Sequence, residues 1–363
     1  MKSNRLYFID AVRAFAILMM LQGHFIDTLL AVEYRDDSNT AFQIWTYFRG
    51  ITAPTFFTIS GLIFSYLLIK AKKKGTVKQR IRKGLMRGLM LIGVGYLLRI
   101  PIFQWLVGEF NSYFLVIDVL QCIGLSLIGV VLVYQLCLKN TLVFSVLMLQ
   151  IGLLIFTTEP LYRNLQLPNT PEIFANYMTK AHGSIFTILP WFGYMAFGAF
   201  IATLFYRYLE RPKFKLGIIT GFIVVGLFLI YTSSYTLMQL YYWSDIQLFK
   251  DVAYFNYLYT RLGNVLILFA LFYAFEFIVK QPLILRIGQK TLSIYVIHFI
   301  IIWGSFTGYG LYQLIGKTLN PWQAILGAGV FLATVCFISF HYAKTNAFLY
   351  LQIRRLIDKF KTT

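Results

Sequence analysis

Residues 8–30 read FIDAVRAFAILMMLQGHFIDTLL, an apolar run long enough to cross a bilayer that nevertheless carries Asp10, Arg13, His24 and Asp27. Ionisable side chains are costly inside a membrane, so a span that keeps four of them uses them. On a helix turning about 100° per residue, the eleven steps from Arg13 to His24 leave the two side chains within roughly 20° of each other and about 16 Å apart along the axis. Asp10 precedes Arg13 by three residues and Asp27 follows His24 by three, so all four share one stripe. Lipid cannot satisfy such a stripe, which must therefore face protein or a water-filled cavity.

The rest of the chain agrees with a membrane setting. Of 363 residues 58% are hydrophobic and 13% charged, and the mean hydropathy is +0.68. We read an all-α integral membrane protein, a single polytopic domain over 1–363, with about ten transmembrane helices around a polar channel and both termini cytoplasmic. The formal net charge of +19 invites a nucleic-acid reading. Its distribution argues otherwise, because about three quarters of the lysines and arginines fall on one side of the ten spans, as the positive-inside rule requires. That basic surface also suits anionic headgroups or an anionic cofactor. The start, MKSNR, has a signal-peptide flank, but the charges that follow and the lack of a small-residue cleavage pattern make it the lead into a retained first span. Cys122, Cys137 and Cys336 all fall in apolar segments, which indicates neither a disulfide framework nor a zinc site. The histidines are dispersed and no phosphate-binding glycine loop occurs, so no metal, ATPase or dinucleotide chemistry is expected.

Span two, about 44–69, contains Arg49 near its outer mouth and Pro54, with Gly50 and Gly61 permitting close backbone approach. The segment after it, KAKKKGTVKQRIRKGLMR, brings Lys72, Lys73, Lys74, Arg80, Arg82, Lys83 and Arg87. A positive-inside loop needs no ligand, but the same cluster suits the phosphates of coenzyme A. Arg99 in span three (about 88–107) and Asp118 in span four (about 114–138) either pair with each other or line a polar cavity. The proline-containing loop 158–181 is long enough to cap an outer site, with His182 at its end. Pro190 and Trp191 open span six as a kink and interface anchor or as part of the site. Tyr241, Tyr242 and Trp243 serve as interface anchors or as a stacking platform. Arg261 opens span eight and His298 lies within span nine. The tail with Arg354, Arg355, Lys359 and Lys361 reads as an amphipathic surface helix.

His24 is the candidate base, since a neutral imidazole accepts a proton near neutral pH. Asp27, one turn on, either orients its ring or points to outer water.

The segment RLYFIDAVRAFAILMMLQGHF, with its Asp-x2-Arg-x10-His arrangement at Asp10, Arg13 and His24, resembles the first span of the transmembrane acyltransferase superfamily. That superfamily includes acyltransferase family three and the catalytic domain of heparan-alpha-glucosaminide N-acetyltransferase. RGITAPTFFTISG, DVLQCIGLSL, LPWFGYMAFGAFIA and TLSIYVIH are similar to further segments of the latter group's bacterial relatives, in the family's order. The resemblance implies a ten- or eleven-helix enzyme of a bacterial cytoplasmic membrane. It would take an acyl group, usually acetyl, from coenzyme A at the cytoplasmic face and pass it to a glycan or glycolipid outside. By position His24 matches the catalytic histidine, with Asp10 and Arg13 as motif partners. We accordingly expect acetyl-CoA as donor, held by Arg13 and the basic segment, and acceptor contacts among Arg49, Arg99, Asp118, His182, Trp191, Arg261 and His298. A transporter or flippase for a small anion or lipid-linked sugar is the alternative.

Overall fold

The computed structural model describes residues 6–110, 112–137 and 139–361, with side chains described as far as Tyr342. Met1–Arg5 and the side chains of Arg354, Arg355, Lys359 and Lys361 lie outside the described residues. The chain is all-α, as its composition predicts. Among the described residues ten longer helices follow one another: α1 (Tyr7–Leu29), α2 (Thr40–Lys73), α3 (Val77–Arg99), α4 (Val119–Leu136), α5 (Thr141–Thr157), α6 (Ile188–Tyr208), α7 (Phe214–Ser244, with a π-helical stretch Phe228–Thr232), α8 (Tyr257–Ala274), α9 (Thr291–Trp303) and α10 (Pro321–Lys361). Among the described residues seven helices are long and apolar enough to cross a membrane. An eighth joins them if Pro282–Gln289 and α9, bent by 71°, count as one span. α5, at 17 residues, is short by that measure, and α3 carries a strongly basic first half. The protein is a multi-pass membrane protein.

Of the boundaries that differ from the sequence reading, two bear on the interior. α3 stops at Arg99 because Ile100, restricted by the following Pro101, is extended (φ −76°, ψ 113°). α4 begins only at Val119, because Asp118 is its N-cap: the Asp118 carboxylate accepts from the Val119 amide at 2.7 Å, and Gln121 Oε1 accepts from the Asp118 amide at 3.3 Å. Arg99 and Asp118 are therefore helix ends that meet, not mid-span residues. The tail is helical and continues α10 without a break, giving one helix of 41 residues.

Without water to drive helices together, packing rests on close backbone approach. A Cβ placed on Gly61 would meet the Met195 carbonyl oxygen at 2.1 Å, and one on Gly198 the Thr58 carbonyl at 2.0 Å, so α2 and α6 touch backbone to backbone. Gly88 and Gly124 do the same for α3 and α4. The far ends of α1 and α10 are tied by a backbone pair, Leu30 with Leu319. At the opposite end Glu276 accepts from the Phe8 amide at 3.1 Å and faces Lys215 at 4.0 Å. That end also carries Lys72 to Arg87, and we call it the basic face. α1 is half buried, whereas only 11% of α7's apolar window is buried, which puts α1 inside the bundle and α7 on its rim.

Candidate active site

Three cavities lie in file along the inner side of α1 and α2. The one nearest the basic face, about 190 Å³, is lined by Arg13, Arg80, Arg87, Thr291 and Tyr295, with leucines and isoleucines between them. The central chamber, about 550 Å³, is lined by His24, Asp27, Arg49, Arg99, Asp118, Trp191, Arg261 and Trp303, among others. An outer vestibule of about 720 Å³ is lined by Asp37, Gln43, Tyr47, Asn256, Tyr257, Arg261 and Asn264. Phe56 lines both the first and the second, and Thr46, Gly50 and Arg261 line both the second and the third.

In the inner cavity Arg13 donates from Nη2 to Thr291 Oγ1 at 2.7 Å and stands 3.7 Å from Asp10. Arg80 and Arg87 have no carboxylate within ion-pair distance among the described residues, and Nε of Arg80 is buried without a hydrogen-bond partner. The cavity thus gathers three guanidinium groups around a narrow, otherwise apolar slot, which suits an anionic, thin molecule. The basic segment does not act as a block. Lys72, Lys73, Lys74, Arg82 and Lys83 are exposed and line none of the three cavities. Lys72 donates to the Lys139 carbonyl at 3.1 Å, and Lys73 lies over the Tyr206 ring.

In the central chamber two of the three lining arginines are paired with carboxylates. Asp27 binds the Arg49 guanidinium and stands 3.7 Å from Arg35, so it is engaged away from His24. Arg99 donates to Asp118 at 3.0 Å and is flanked by the Tyr113 and Phe299 rings, while its Nε and Nη1 remain buried without partners. The ion pair and the polar cavity, alternatives in the sequence, are both present. Arg261 fits against Gly50, where a Cβ would come within 3.2 Å of its guanidinium, and lies over Tyr257. Trp191 packs on Phe57 and Phe186 at the chamber wall.

His24 is partly buried, with its ring between two others: His298 stacks on it (centroids 5.4 Å, planes 21° apart) and Trp303 meets it edge-on (5.1 Å, 76°). His298 is 0% exposed and stands against His24 without lining the chamber. His182 is exposed, bonds Asn176 at 3.1 Å and lines none of the cavities. Tyr241, Tyr242 and Trp243 also stand apart, with Trp243 86% exposed.

Sequence reasoning did not pick out Thr291, Tyr295, Trp303, Tyr113, Arg35 or Phe56. A signal existed for the first two. Thr291, Tyr295 and His298 recur at i, i+4 and i+7, a polar stripe on α9 that faces the stripe on α1. Among the described residues no group of three His, Cys, Asp or Glu is arranged to hold a metal ion.

Residues 5–243 match the family described as heparan-alpha-glucosaminide N-acetyltransferase, catalytic. The match takes in α1 to α7 and ends before α8, so Arg261, Thr291, His298 and Trp303 lie outside it. No curated protein matches the chain.

Proposed function

The chain belongs to the heparan-alpha-glucosaminide N-acetyltransferase catalytic family, whose activity is membrane acetyl transfer, and on that footing we propose what it transfers, from where and with which residues. The donor is acetyl-CoA, bound at the basic face. The acceptor is a hydroxyl or amine of a glycan or glycolipid at the opposite face, and His24 is the general base. One observation carries the reading: a guanidinium-lined cavity, a chamber containing His24 and a polar outer vestibule follow one another through the protein. The lysine and arginine bias makes the basic face cytoplasmic, in keeping with a bacterial cytoplasmic membrane.

Arg13, Arg80 and Arg87 fit the donor's phosphates, with Thr291 holding Arg13 in place. The leucine- and isoleucine-lined slot suits its pantetheine arm. The donor supplies a thioester, whose carbonyl carbon is the electrophile. In the chamber the acceptor's proton passes to an imidazole nitrogen of His24 as the acceptor atom bonds to that carbon; the carbon–sulfur bond then breaks, and the proton goes on to the departing thiolate. Negative charge grows on the carbonyl oxygen in between. Arg99 is the wall donor suited to it, since two of its nitrogens lack a partner. The vestibule's amides and tyrosines (Gln43, Asn256, Asn264, Tyr47, Tyr257) are the side chains that bind sugar hydroxyls and ring faces, and Arg261 at its inner end leads the acceptor to His24.

Purified protein supplied with radiolabelled acetyl-CoA and a panel of amino sugars and glycolipids is expected to release coenzyme A and label an acceptor. His24→Ala is expected to stop this while leaving coenzyme A binding intact. Donor binding without turnover by the unmodified protein on any acceptor would turn the reading towards transport.

A further inference from the structure

A histidine that takes a proton from a substrate needs its ring held in one orientation. In hydrogen-bonded triads a carboxylate on the second ring nitrogen does this. Here the carboxylate one turn from His24 is taken, because Asp27 binds Arg49 and Arg35. Among the described residues no hydrogen bond or ion pair reaches the His24 ring. Two rings reach it instead, His298 on its face and Trp303 at its edge.

Both rings are themselves fixed. His298 is fully buried against Tyr295 (4.9 Å, 75°), and Trp303 packs on Phe299 at 4.6 Å. The ring nitrogens of His298 lie near the Ile294 and Tyr295 carbonyls of their own helix, but neither reaches hydrogen-bond geometry. His298 therefore acts on His24 through the face of its ring and not through a shared proton. The carboxylates and cations around the pair are otherwise engaged: Asp118 with Arg99, and Arg49 with Asp27. The family match ends at residue 243 and assigns nothing to either ring.

We propose that His298 and Trp303 are positioning residues, an aromatic clamp from α9 that fixes the His24 imidazole where other enzymes use a carboxylate. The inference rests on His24 being the base. It adds that shape, not a hydrogen bond, sets that base.

The test uses the full chain in nanodiscs and diethyl pyrocarbonate, a small electrophile that acylates accessible neutral imidazole, with the rate at each histidine read by mass spectrometry. Freeing the ring is expected to raise the rate at His24 about 5-fold or more in His298→Ala and Trp303→Ala, while His298→Phe and Trp303→Phe stay within about 2-fold of the parent. Exposed His182 and His341 serve as references whose rates stay constant in a folded variant. In acetyl-CoA turnover with glucosamine as the probe acceptor, the two alanine variants are expected to lose about 10-fold or more in kcat with KM for acetyl-CoA unchanged, and the two phenylalanine variants to recover most of it. Unchanged His24 labelling in both alanine variants would overturn the clamp. So would His298→Phe behaving like His298→Ala, which would make the imidazole nitrogens the active feature. Because the labelling needs no turnover, a parent protein that transfers no acetyl group would sink the enzyme reading while still deciding the clamp.

Discussion

The inner cavity and the central chamber hold arginines in opposite circumstances. Around the inner cavity Arg80 and Arg87 face no carboxylate among the described residues, and Asp10 reaches Arg13 only at 3.7 Å. Around the chamber Arg49 is matched to Asp27 and Arg99 to Asp118, and Arg261, at the joint with the vestibule, is the one lining arginine with no carboxylate at ion-pair distance among the described residues. Surplus guanidinium invites an anion, whereas guanidinium already neutralised forms a polar wall that suits uncharged groups. On the proposed reading, one end of the passage would hold the donor's phosphates, and the middle would bring its thioester to a hydroxyl or amine.

Substitutions can break or sharpen this contrast. The largest effect is expected at His24, where alanine should lower kcat at least ~10³-fold with coenzyme A affinity kept, measured by turnover and by calorimetry. Next comes the buried pair in the chamber. Arg99→Leu leaves Asp118 charged and unmatched and should cost about 3–5 kcal/mol of stability, whereas Arg99→Leu with Asp118→Leu should recover much of it; thermal unfolding in detergent reads the difference. A single mutant as stable as the double would show that the pairing does not hold the chamber. Removing Arg80 and Arg87 together should weaken coenzyme A binding about 100-fold with no comparable loss of stability, since no partner is left stranded. Smallest is the triple change of Lys72, Lys73 and Lys74 to alanine, which lie outside the cavity and should alter coenzyme A affinity by about 2-fold or less. Equal losses from the lysine triple and the arginine double would mean that the whole basic segment binds the donor, as its composition alone suggests.

The parts of the structure legible in the sequence are those set by periodicity and by sign of charge. The stripe on α1 faces inward as the 3.6-residue repeat requires, and the helices follow the apolar runs. Arg13 and His24 duly line successive cavities. What periodicity does not carry is which stripe meets which. His24 against His298 and Arg13 against Thr291 depend on the packing of helices far apart in the chain, and Asp27 against Arg49 on the rotation of two consecutive ones, and no local rule fixes these. The ends of α3 and α4 were hidden for another reason. Apolar residues continue past Arg99 and before Asp118, so hydropathy extends both spans through a loop that Pro101 and the Asp118 cap interrupt. Composition likewise gathers the basic residues after span two into one cluster, where rotation about α3 brings half-buried Arg80 and exposed Arg87 to the rim of the inner cavity and leaves Arg82 and Lys83 away from it.

Phe56 stands where the inner cavity and the chamber adjoin. An ion following that route would exchange its hydration shell for the face of a phenyl ring, at a cost of several kcal/mol. An acetyl group carries no charge and loses little there. On the proposed reading, a protein with cavities along its whole depth is thus electrically tight at this joint, insulating one side of the membrane from the other while a two-carbon fragment changes sides.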